Sequence, residues 1–174
     1  MSACVRKYNP AKWTECLNGC RDAIPADAIT ICLRTSNNTL SVWHLLSPDD
    51  ECEFVDIAIA MTLTNADRSG SIDTIDFVYI ELDRLIELGL TVVETPGNTL
   101  YESYRDKHLD ISDLDYPSLG IVSDALKSQM SNQKIKRIER GKIKSRIKQL
   151  IRSGEIQNHE SFPERLRKEL GLSQ

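Results

Sequence analysis
At 174 residues, 40% hydrophobic and 28% charged, the chain has the make-up of one ordinary domain with an appendage, which excludes disorder throughout. It has no apolar run approaching the roughly 20 residues that cross a bilayer, and residues 1–8 lack the apolar core of a secretion signal, so a cytoplasmic protein without membrane contact is expected. The net charge of −4 is unevenly spread: residues 1–48 hold 5 basic and 3 acidic side chains, residues 49–115 hold 4 and 17, and residues 116–174 hold 13 and 6. An acidic body carrying a basic tail points to an interaction surface, either between the two halves or with a charged partner.

In chain order, Asn9 followed by Pro10 predicts a capped helix that Gly19 stops, with Trp13 and Leu17 turned to the core. Ile29, Ile31 and Leu33 alternate with polar neighbours, and Asn37 and Asn38 suit a tight turn, so residues 29–34 and 40–45 are expected to pair as a hairpin. Ser47, Pro48 and the acidic residues after them open a helix that is apolar around most of its circumference, and therefore buried. Ile75, Val78, Tyr79, Leu82, Leu85 and Ile86 recur at spacings of 3 and 4, which predicts a second helix ended by Gly89. Residues 90–95 read as a strand, and residues 99–108 as either a capped helix or the return strand of a hairpin.

From Pro117 the pattern is helical again, through Leu119, Val122, Leu126 and Met130. Residues 134–152 carry nine basic side chains and one acidic, and read as helix with a break at Gly141 followed by the stripe Ile143, Ile147, Leu150 and Ile151. Ser161 and Glu164 form a capping-box pattern before a last short helix. The expected fold is α+β: a small antiparallel sheet, the hairpin plus one or two further strands, packed on helices. Residues 1–116 form the acidic domain and 117–174 a basic helical extension.

Between the two helices expected at its flanks lies the polar stretch 65–76. Its residues Asn65, Asp67, Ser69, Ser71, Asp73 and Asp76 fall at positions 1, 3, 5, 7, 9 and 12, with Gly70 at position 6. In this it resembles the calcium loop of the EF-hand family, and the resemblance implies a Ca²⁺ ion held by those six residues between two helices. Asn65 and Asp76, where the family favours Asp and Glu, imply weak binding, and the alternative is a polar turn with Ser71 or Asp73 as helix cap.

Catalytic patterns are scarce. The sequence holds no phosphate-cradling glycine loop, no nucleophile elbow and no paired zinc-ligand histidines, so a non-enzymatic protein is expected. Cys16, Cys20, Cys32 and His44 lack the spacing of a zinc ribbon, and the five cysteines read as free thiols in a reducing compartment. Asp106, His108 and Asp110 are close enough in sequence for a carboxylate to orient an imidazole, although a solvated polar segment is the simpler reading.

The basic residues Lys134, Lys136, Arg137, Arg140, Lys142, Lys144, Arg146, Lys148 and Arg152 have three readings: a solvated face over its own apolar stripe, a docking face for the acidic body or a second subunit, or a phosphate-binding face for nucleic acid. No aromatic residue interleaves them, which removes support for base stacking. The favoured expectation is an interaction module of the adaptor, antitoxin or immunity-protein sort, with a protein partner or self-association. Calcium binding at 65–76 and nucleic-acid binding at 134–152 are the alternatives.

Overall fold
The computed structural model describes residues 2–64 and 71–172. Strand β1 (Ala3–Tyr8) carries the organising feature: Ala3 and Val5 point to one side, Cys4 and Tyr8 to the other, and all four are buried. A strand buried on both sides belongs in the middle of a covered sheet. The remaining strands are β2 (Leu40–Leu45), β3 (Ile75–Glu81), β4 (Thr91–Glu94), β5 (His108–Ser112) and β6 (Ile135–Ile138). They form one antiparallel sheet of six strands in the order β4-β5-β2-β1-β3-β6.

Helices cover both faces, so the α+β expectation holds. On one face, α3 (Glu51–Thr64), α6 (Arg140–Ser153) and α7 (Glu164–Leu170) pack over Val5, Trp43, Leu45, Phe77 and Ile138. On the other, α1 (Pro10–Leu17), α2 (Ala26–Cys32), α4 (Leu82–Glu87) and α5 (Tyr116–Ser131) pack over Cys4, Val42, Val78, Ile80 and Ile111. The chain from 117 onward therefore supplies an edge strand and three helices to the same sheet as residues 3–112.

Local chemistry sets the ends. Asn9 Oδ1 accepts the Ala11 amide at 3.2 Å and Pro10 occupies the first turn of α1, as expected. Helix α3 starts later than Ser47: Asp50 Oδ1 accepts the Cys52 amide at 2.8 Å, while the Glu53 carboxylate turns back to accept the amides of Leu46 and Ser47. Asp115 and Ser118 form a reciprocal capping box at α5. The box expected at Ser161 and Glu164 does not form, because α7 starts behind Pro163 without a side-chain cap.

Four expectations are corrected. Residues 29–34 are not a strand: α2 buries Ala28 and Cys32, four apart, and leaves Ile31 exposed, so the true period is helical. The turn at Asn37 and Asn38 does form, both residues at positive φ, but the antiparallel neighbours of β2 are β1 and β5. Residues 75–81 are strand and only 82–87 helix, since Ile75 and Phe77 face one core and Val78 and Ile80 the other. In the basic segment the break falls at Glu139, between β6 and α6, and Gly141 lies inside the first turn of α6. Residues 99–108 are neither alternative throughout: a 3-10 turn at Glu102–Lys107 leads directly into β5.

Candidate functional site
The basic segment meets the acidic body of its own chain. Arg146 donates from Nε and Nη2 to the two carboxylate oxygens of Asp56, at 3.0 and 3.2 Å, across the seam between α6 and α3. Lys142 and Lys136 converge on Glu51, Lys134 on Glu81, Arg137 on Asp76 at 3.5 Å, and Arg140 on Glu169 at 2.8 Å. Six of the nine basic side chains are thus in ion pairs among the described residues; Lys144, Lys148 and Arg152 are in none. The stripe Ile143, Ile147 and Leu150 is fully buried in the core over α3, with Ile151 packed against it. Each such side chain contributes roughly 1.5 to 3 kcal/mol, so the chain covers its own stripe and no partner is required to do so.

These contacts set the local electrostatics. The hydrogen bond from Lys142 holds the Glu51 carboxyl below its usual value, and that from Lys134 does the same for Glu81. Asp76 moves the other way, because burial outweighs the attraction of Arg137.

At the expected calcium loop, Asn65, Asp67 and Ser69 lie outside the described residues. The element that follows is a strand and not the helix of an EF-hand. Asp76 sits in that strand opposite Tyr8 and Arg137, with its carboxylate held by the Arg137 guanidinium, so the described half does not fit the calcium cradle that the resemblance implies. Cys4, Cys16 and Cys32 are buried free thiols, Cys20 and Cys52 exposed ones. Among the described residues no three His, Cys, Asp or Glu side chains are grouped to hold a metal.

His108 and Asp110 do come together, on one face of β5, through a residue the sequence did not single out. Thr95 donates its hydroxyl to Asp110 Oδ2 at 2.8 Å, and its carbonyl lies 2.7 Å from His108 Nδ1. A carbonyl only accepts, so Nδ1 carries the proton and Nε2 is the free basic nitrogen. Asp106 lies apart, in the 3-10 turn. The imidazole packs edge-on against Trp43 at 5.1 Å.

A second feature lies on the opposite face of the sheet. A groove of about 330 Å³ runs between α4 and α5, with Leu88, Ile121 and Ala125 as its apolar wall and Arg84, Asp124 and Gln129 as its polar one. Ile121 is a large apolar side chain left 39% exposed. Gln129 is 8% exposed, yet its Oε1 has no hydrogen-bond partner. The one signal in the sequence was Ile121 itself, which stands beside the stripe of Leu119, Val122, Leu126 and Met130 and not within it.

No protein-family model matches the chain, and no curated protein or solved structure is significantly similar to it.

Proposed function
We propose that the chain is a small non-catalytic interaction module, of the adaptor, antitoxin or immunity-protein sort, whose protein partner seats in the groove between α4 and α5. The observation that carries this reading is the orphaned Gln129 oxygen beside the exposed Ile121. A buried acceptor without a donor costs about 1 to 3 kcal/mol, and a partner's N–H recovers it once the Gln129 side chain, whose oxygen is itself buried, turns into the groove. The walls specify the rest of the partner: an apolar side chain against Leu88, Ile121 and Ala125, and a basic group toward Asp124, which is in no ion pair among the described residues. An amphipathic segment with an apolar anchor flanked by Lys, Arg or an amide meets these requirements.

The reading is tested by placing a photoreactive side chain at Ile121 in cells, with Arg152 on α6 as the control position. The expected result is one adduct of defined mass at Ile121, absent at Arg152 and lost when Asp124 is changed to Arg. Gln129→Leu separates binding from folding: it removes the unmet acceptor, so thermal stability rises while the adduct weakens. Equal labelling at both positions, or none at Ile121, excludes the groove.

A further inference from the structure
The sheet is split between β1 and β2. β1 pairs with β2 only from Ala3 opposite Leu45 to Val5 opposite Trp43; beyond that, β1 runs on with β3 alone and β2 with β5 alone. Arg6 is the first residue past the split, and its guanidinium spans it. Nε donates to the Cys32 carbonyl at the end of α2, at 3.0 Å, and Nη1 to the Ser41 carbonyl of β2, at 2.6 Å. Both acceptors are neutral, and no carboxylate lies within ion-pair distance of Arg6 among the described residues. Burial lowers the pKa of this guanidinium, and Cys32 and then Asp110 offset that only in part. A half-buried cation held by two neutral carbonyls is a favourable place for an anion.

Space for one adjoins it. A cavity of about 580 Å³ opens at the split, lined by Arg6 with the side chains of Arg34, Thr35, Ser36, Thr64 and His108. Arg34 is exposed at this cavity and forms no ion pair among the described residues. His108, with its proton held at Nδ1 by Thr95, has Nε2 as an acceptor and adds no donor to the cavity. Two guanidiniums with Thr35 and Ser36, beside the apolar Trp43 and Met61, make a donor-bearing wall that matches a doubly charged tetrahedral group better than a single carboxylate, because planar forks engage phosphate oxygens in pairs. We infer that this cavity binds a small molecule carrying a phosphoryl group, with Arg6 as the fixed anchor and Arg34 as the closing arm. The inference is independent of the α4–α5 groove, with which this cavity shares no lining residue.

The test titrates the full chain with inorganic phosphate, pyrophosphate and phenyl phosphate, each against chloride at matched ionic strength, by calorimetry and thermal melting. At least one probe is expected to bind one to one and raise the melting temperature, with NMR shifts at the Trp43 indole and the His108 ring. Arg34→Ala, which removes an exposed side chain, should weaken that binding at least tenfold without changing the circular dichroism. Arg6→Lys should weaken it as well; if that variant fails to fold, Arg34→Ala decides alone. Three silent probes overturn the inference, as does undiminished binding by Arg34→Ala. Shifts confined to Lys144 and Lys148 would place the anion on the basic helix, and citrate binding as tightly as pyrophosphate would remove the phosphoryl assignment; either result overturns it.

Discussion
Asp56 and Arg146, 90 positions apart, face each other with two parallel contacts of 3.0 and 3.2 Å, and both side chains are largely shielded, at 11% and 31% exposure. The pair joins the most acidic part of the chain to the most basic. Removing one partner strands the other, so Asp56→Ala should destabilise the protein by about 2 kcal/mol, below the full cost for a wholly buried pair because Arg146 retains some water. A double-mutant cycle with Arg146→Ala, read from urea midpoints, should return a favourable coupling energy. Strict additivity would mean that the pair contributes nothing.

Acid should loosen the same seam. Glu51 and Glu81 have folded pKa values below the ordinary 4.5, so their contribution is present above that value and is lost as the pH falls through the lower folded value. Asp76, raised by burial, runs the opposite way and gives back a little stability on protonation. Lys134→Met removes the hydrogen bond that depresses Glu81. Its melting temperature should lie below the wild type's at neutral pH, and the two curves should converge as the pH falls through the lowered folded value of Glu81.

Two glycines should respond oppositely to alanine. A Cβ at Gly97 would stand 3.0 Å from His108 Cβ and 3.1 Å from the Trp43 ring, so Gly97→Ala should cost about 1 to 3 kcal/mol. A Cβ at Gly141 meets nothing within 4 Å, and the residue is helical, so Gly141→Ala should stabilise by up to about 1 kcal/mol. Chemical denaturation of both variants checks the contrast, and a stabilised Gly97→Ala would contradict the close packing over His108.

Truncation after Gln133 removes β6, α6 and α7, and with them Ile138, Ile143, Ile147 and Leu150 from the core over α3. The remainder should lose its cooperative melting transition and its near-ultraviolet circular dichroism. A sharply melting fragment would show that the basic segment is an appendage after all.

What could be read from the sequence follows from how many sides of an element are buried. α3 is apolar all round and reads plainly as a buried helix. β3 is buried on both faces, so Ile75, Phe77, Val78 and Ile80 lose the alternation that marks a half-exposed strand and mimic helical spacing. β1 hides for the same reason, with Arg6 and Lys7 making it look polar. In α2 the chance alternation of Ile29, Ile31 and Leu33 outweighed the quieter signal of Ala28 and Cys32. The charge segregation was plain from composition, and one of its two readings, contact between the halves, is what the ion pairs realise. The α4–α5 groove and the split at Arg6 depend on neighbours far apart in the chain, and no local pattern announces either.

The central position of β1 bears on how the molecule comes to be made. β1 takes its place mid-sheet, while the face that carries Ala3 and Val5 waits for α6, much later in the chain, to close it. During synthesis the nascent polypeptide therefore holds an incompletely covered apolar sheet face until the codons for α6 have been translated. That interval favours aggregation of the growing chain, and slowing of translation between the codons for α3 and α6 should raise that tendency.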